Sequence, residues 1–201
     1  YLGQLFEYFD IRPVLQEPAV PAVLPAPAAT HLRLEQVDFT YPGTQKQVLH
    51  GIDLEIPPGR IVALVGANGS GKTSLIKLMC RLYEPSAGRI TLDGRDIREF
   101  GLAEYRRVFS VIFQDFARYA STVNENIRFG DIHLPADSPR IREAAIKAEA
   151  DGFIQLMTQG YDTRLTRMFD GGAELSHGQW QRLALARAFA AGSRVLVLDE
   201  P

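Results

Sequence analysis

The run Gly66-Ala67-Asn68-Gly69-Ser70-Gly71-Lys72-Thr73 places glycines, a lysine and a hydroxyl at the spacing that wraps a polyphosphate. The glycines let the backbone curl until several N–H groups converge on one anion. Lys72 then reaches the β- and γ-phosphates of a nucleotide, Thr73 offers its hydroxyl to Mg²⁺, and Ser74 follows in the same helix start. A second chemical feature lies near the other end. Val195-Leu196-Val197-Leu198 runs into Asp199-Glu200, two carboxylates at the end of an apolar strand. The first can hold Mg²⁺, often through water, and the second can accept the proton of an attacking water. Gln114 follows the apolar run Val108–Phe113, where a polar side chain can contact the metal or that water. Leu175-Ser176-His177-Gly178-Gln179 precedes a helix from about Trp180 to Ala191, with Ser176 as its N-cap and Gly178 leaving room for a phosphate. Together these residues suit the binding and hydrolysis of a nucleoside triphosphate.

These groups work only if the chain holds them in place. The phosphate loop needs a strand before it and a helix after it. Ile61–Val65 is expected to be a buried strand, and Leu75, Ile76, Leu78, Met79 and Leu82 recur at helical spacing. Ile61–Val65, Val108–Phe113 and Val195–Leu198 are continuous apolar runs, the pattern of parallel strands buried on both faces. Elsewhere the pattern alternates, as in antiparallel strands with one wet face: Leu32 and Leu34, then Val37, Phe39 and Tyr41 one step out of phase, and Ile52, Leu54 and Ile56. The slip in phase predicts a bulge near Gln36. Arg89–Leu92 followed by Asp93-Gly94 predicts a strand and a tight turn. Residues 119–171 read as a small helical insert, with Ile141, Ala144, Ala145 and Ala148 on one face and Phe153, Leu156 and Met157 on another. Residues 1–12 place Leu2, Leu5, Phe6 and Phe9 on one side of a short amphipathic helix. Residues 13–30 form a Pro/Ala-rich linker, stiffer than a Gly/Ser one.

Composition narrows the class. The chain has 201 residues, 46% hydrophobic and 23% charged, with a net charge of −2. That suits a soluble globular domain and lacks the basic surplus of a protein held by nucleic-acid phosphates. The single cysteine, Cys80, cannot form an internal disulfide and falls on the apolar face of the helix after the loop. No apolar run approaches the ~20 residues that span a bilayer, and no signal-peptide pattern is present.

With these motifs in this order, residues 31–201 resemble the nucleotide-binding domain of an ABC transporter. Gly66–Thr73 is similar to its Walker A motif, Val195–Asp199 to Walker B, and Leu175–Gln179 to its LSGGQ signature. Gln114 is similar to the Q-loop glutamine, Glu200 to the catalytic glutamate, and Tyr41 to the aromatic that stacks on adenine. The run Thr122-Val123-Asn124-Glu125-Asn126-Ile127 resembles exporter-type members. The resemblance implies an α/β P-loop NTPase: a RecA-like parallel core, an antiparallel β-subdomain over residues 31–60 and a small helical subdomain over about 119–171. Residues 1–12 become the tail of an upstream membrane domain.

The resemblance also implies a mechanism. Two such domains, identical or paralogous, face each other head to tail with two ATP molecules and Mg²⁺ between them. One supplies Tyr41, Gly66, Ala67, Asn68, Gly69, Ser70, Gly71, Lys72, Thr73, Ser74, Gln114, Asp199 and Glu200. The other supplies Ser176, His177, Gly178 and Gln179. Lys72, Gln114 and Glu200 carry catalysis, and Thr73, Gln114 and Asp199 face the metal. The partners implied are a second nucleotide-binding domain and a transmembrane domain fused upstream, with no nucleic acid expected, at the cytoplasmic face of a membrane. The Asp115–Tyr119 segment would lie where that membrane domain docks. His177 departs from the signature, which has glycine there, and the family's D-loop and switch histidine have no counterpart within the chain. Two other readings stay open at this point: a soluble ABC ATPase acting on DNA or ribosomes, and a regulatory nucleotide-binding module.

Overall fold

The computed structural model describes residues 6, 9, 13–26, 30–166 and 172–199. The chain forms two compact units, Tyr1–Arg106 and Arg107–Pro201. Of the expected helix at residues 1–12, all but Phe6 and Phe9 lie outside the described residues; those two are helical and exposed.

The first unit is built on an antiparallel sheet of β1 (Leu32–Thr40), β2 (Gln47–Ile56), β3 (Ala87–Leu92) and β4 (Arg95–Asp96), in the order β2-β1-β3-β4. The sheet thus reaches past the residues 31–60 expected for it, because β3 pairs along the free edge of β1. The expected bulge is present. Gln36 has φ 48°, and the β1–β2 register shifts between Leu34 and Val37. Its tightness depends on Gly88, where a Cβ would lie 2.2 Å from the Gln36 carbonyl oxygen. Asp93 and Gly94, with φ 52° and 81°, make the turn from β3 to β4. Helix α1 (Lys72–Met79) buries Leu75, Ile76, Leu78 and Met79 in the core of this unit, which also contains Leu32, Leu34, Phe39, Ile90 and Leu92 from the sheet. Each such side chain contributes roughly 1.5–3 kcal/mol by leaving water. Leu82, expected on the same helical face, falls beyond the helix end and is partly exposed.

The described part of the Pro-rich segment, residues 13–26, bends at Val14-Leu15 and Ala19-Val20 and is tied to the rest of the first unit. Arg81, 1% exposed, donates to the carbonyls of Ile97 (3.2 Å), Phe100 (2.8 Å) and Gln16 (2.9 Å). The Glu17 carboxylate accepts from the Leu102 amide at the start of α2 (Leu102–Arg106), and the Ala22 amide donates to the Glu99 carbonyl at 2.8 Å.

Two expectations fail in this unit and two in the next. Ile61–Val65 is not a buried strand: no described strand lies alongside it, and Ile61 and Val65 are 100% and 94% exposed. An apolar run becomes a strand only where a neighbour satisfies its backbone N–H and C=O groups. Leu82 is the second, as noted. In the other unit Leu156 is exposed rather than on a buried face, because its helix ends at Gln155.

The second unit contains a parallel pair, β5 (Phe109–Ile112) and β6 (Val195–Leu198), with register Ile112↔Leu198. β5 is largely buried, whereas Leu196 and Leu198 leave one face of β6 partly exposed, so β6 is not covered on both sides as expected. Helices α3 (Val123–Arg128), α4 (Pro139–Lys147), α5 (Asp151–Gln155) and α6 (His177–Ala191) share a core that includes Val123, Ile127, Ile141, Ala144, Ala145, Ile154, Trp180 and Leu183. The predicted Ile141–Ala148 face is buried throughout.

Candidate nucleotide site

The phosphate loop is held from behind by α1. Gly71 is the N-cap of that helix with φ 95°, and a Cβ there would lie 2.6 Å from Leu49 Cδ2. Both facts exclude a larger residue without rearrangement. The helix has no acidic residue in its first turn, so its positive end is unopposed. Within the loop the Ser70 amide donates to the Ala67 carbonyl at 3.1 Å. Lys72 Nζ donates to the carbonyls of Gly66 (3.0 Å) and Ala67 (3.2 Å), folding its charge into the loop. Thr73 is exposed and Ser74 is buried.

Tyr41, just past β1, belongs to the same unit. Its hydroxyl is 2.9 Å from Ser74 Oγ, the Lys77 ammonium lies 5.7 Å from its ring centre, and Tyr83 meets it edge-on at 5.2 Å. Sequence reasoning missed Lys77 and Tyr83. Ser74 and Lys77 are three apart on one helix, a spacing that puts both on one face and was there to be read.

In the second unit, Gln114 and Asp199 leave the same carboxyl end of the β5–β6 pair, the edge where parallel sheets present ligand-binding groups. Gln114 is exposed and Asp199 is buried, with its amide donating to the Ile112 carbonyl at 2.9 Å. Glu200 lies outside the described residues.

The tip of α6 carries the other expected group. Ser176 is the N-cap in a capping box: Ser176 Oγ accepts from the Gln179 amide (3.3 Å), and Gln179 Oε1 accepts from the Ser176 amide (2.9 Å). Accepting that bond leaves the serine hydroxyl hydrogen available to an anion. Gly178 faces open space, with nothing within 4 Å of where a Cβ would stand, and α6 too has no acid in its first turn. His177 turns toward the segment after Gln114. Its Nδ1 is 3.1 Å from Arg118 Nη2, and its ring centre is 6.0 Å from that of Phe116. Because a guanidinium only donates, this bond needs a neutral imidazole with Nδ1 as acceptor.

Burial tunes two other groups. It pushes the Cys80 thiol up to about 12, and it raises the Tyr105 phenol well above its ordinary value. Both are inert packing groups beside the loop helix rather than reactive ones. Among the described residues no group of three or more His, Cys, Asp or Glu side chains could hold a metal, and no helix is long and apolar enough to cross a membrane.

Residues 49–201 match the family model for the ABC transporter. The chain is 40% identical over 198 residues to the ATP-dependent lipid A-core flippase of Pseudomonas fluorescens, covering 98% of this chain and 31% of that protein. It is 36% identical to the subtilin transport ATP-binding protein SpaT of Bacillus subtilis, covering 100% of this chain and 32% of that one. A solved bacterial Atm1-family ABC exporter with ATP bound superposes with a TM-score of 0.87 at 30% identity, over 99% of this chain and 34% of its own. The chain spans about a third of the length of these relatives. The phosphate loop, the capped α6 and the match along three quarters of the sequence agree: the chain belongs to the ABC transporter family.

Proposed function

We propose that this chain is the ATP-binding and ATP-hydrolysing part of an ABC exporter, working at the cytoplasmic face of a membrane and driven through association of two such domains. The observation that carries the reading is that both motif segments run into helix starts free of acidic residues, Gly66–Thr73 into α1 and Leu175–Gln179 into α6. A nucleotide's triphosphate is neutralised fully only when the first grips it in one copy and the second closes on it from a partner. Tyr41 takes the adenine, Lys72 leaves the Gly66 and Ala67 carbonyls for the phosphates, and Ser176 and Gly178 complete the partner's site. Glu200 accepts the proton of the attacking water and Gln114 orients it.

The donor types assigned to Mg²⁺ suit that ion: Thr73 in the first unit would offer a hydroxyl, and Gln114 and Asp199 in the second a carboxamide oxygen and a carboxylate, all hard oxygen ligands. When bound, the ion neutralises charge on the phosphates. Residues 31–201 form the nucleotide-binding domain, 13–30 the connecting segment, and 1–12 the end of a fused membrane domain. The exporter assignment draws support from relatives whose names describe a flippase and a transport protein.

The test is Glu200→Gln in the full-length protein. ATP binding stays intact, hydrolysis falls at least about 100-fold, and a closed dimer accumulates by size exclusion. Unchanged hydrolysis overturns the assignment of Glu200.

A further inference from the structure

The segment that follows Gln114 is fastened to α6 by a joint on which none of the roles above depends. Arg187, ten residues along α6 from His177, reaches three acceptors. Its Nε donates to the Asn126 carbonyl (3.0 Å), its Nη2 to Asn126 Oδ1 (3.1 Å), and its Nη1 to the Ala117 carbonyl (3.1 Å). The guanidinium also lies over the Tyr119 ring, 4.8 Å from its centre. Asn126 is completely buried, and its amide donates to the carbonyls of Tyr119 (3.0 Å) and Thr122 (2.9 Å). At the opposite end of α6, Arg118 meets His177. The three residues Ala117–Tyr119 are therefore held by two side chains of one helix, His177 at its start and Arg187 near its end. The backbones are in close register as well, since a Cβ on Gly130 would lie 2.0 Å from the Arg187 carbonyl oxygen.

A planar five-donor fork is what this arrangement requires, and lysine cannot reproduce it with a single ammonium. Buried amide donors of Asn126 fix the rest. We propose that Arg187, acting with Asn126, is a positioning residue that makes the Gln114 loop and the Ser176–Gln179 tip move as one lever. Displacing the tip then displaces Gln114, and closing on a partner's nucleotide aligns the hydrolytic water in the same motion. This rests on the reading given under Proposed function.

The test uses the full-length protein with Arg187→Lys and, separately, Asn126→Asp. The second keeps an acceptor for Arg187 and removes both donors to the Tyr119 and Thr122 carbonyls. Two quantities are measured. One is the rate at which a short bifunctional thiol reagent bridges an Arg118→Cys, His177→Cys pair, with buried Cys80 silent. The other is kcat and KM for ATP in the proteins without the cysteine pair. The lever predicts that both variants cross-link several-fold more slowly and lose roughly tenfold in kcat with KM within about twofold. Wild-type cross-linking and kcat in both variants overturn it. So does a loss of kcat that only tracks loss of folded protein by near-ultraviolet circular dichroism while the folded fraction cross-links normally. If the parent protein does not hydrolyse ATP, the functional reading fails, and the cross-linking comparison alone decides the joint.

Discussion

The hydroxyl of Tyr41 lies 2.9 Å from the hydroxyl of Ser74, which ties an aromatic side chain to the helix that carries Lys72 and Thr73. The ring is steadied further by Phe39 and Tyr83, at 4.7 and 5.2 Å between centres. A base stacked on Tyr41 would therefore be indexed to the phosphate loop by a single hydrogen bond. Tyr41→Ala is expected to weaken binding of a fluorescent ATP analogue by about 1–3 kcal/mol, the worth of one base–aromatic stack. Tyr41→Phe keeps the ring and is expected to cost less than about 1 kcal/mol. Equal losses in the two variants would assign the effect to the hydroxyl instead of stacking.

Arg81 should dominate the seating of the Pro-rich segment. Arg81→Met leaves the carbonyls of Ile97, Phe100 and Gln16 without their buried donor. Breaking a buried, charged set of this kind costs about 3 kcal/mol. The amides of Ala22 and Leu102 are then expected to exchange with deuterium about 100-fold faster than in the parent protein. An unchanged exchange rate at both would mean the segment is held by its other contacts.

Glu125 links helix α3 to acid stability. Its carboxylate accepts from the Ser121 hydroxyl and from the Thr122 amide, and these hold its pKa below the ordinary value of 4.5. The sign follows from that depression. The stabilisation is fully present above pH 4.5 and is lost as pH falls through the lower, folded value. Glu125→Gln is expected to flatten the acid limb of a thermal-stability profile below pH 4.5 and to leave the neutral region nearly unchanged. An acid limb of undiminished slope would show that other carboxylates carry it.

Cys80 is expected to resist alkylation in the folded protein at pH 8, because burial pushes its thiol up to about 12. Mass spectrometry after brief iodoacetamide treatment should find it unlabelled when native and fully labelled in denaturant. Rapid native labelling would mean that the α1 end opens.

Local signals carried much of this fold in the sequence. The phase slip at Gln36, the Asp93-Gly94 turn, the Ser176 cap and the Ile141–Ala148 face are each set by a few neighbouring residues, and each is found where the pattern places it. Ile61–Val65 was misread because hydrophobicity reports what a strand would bury, while a strand also needs a ladder partner. Leu156 was misread because its helix stops one residue short of it. The motif residues of the proposed site are named by type and spacing alone. The groups around them are not. Arg187 reaches Ala117 across seventy positions, and Arg118 reaches His177 across fifty-nine. Nothing local in the chain announces such pairings.

The Arg81 contacts have a mechanical corollary. Gln16 is moored to the residue that follows α1 by only one intervening position, and α1 begins at Lys72. Tension applied at residue 13 therefore travels through one buried guanidinium and an eight-residue helix to the lysine of the phosphate loop, without passing along the β1–β2 hairpin.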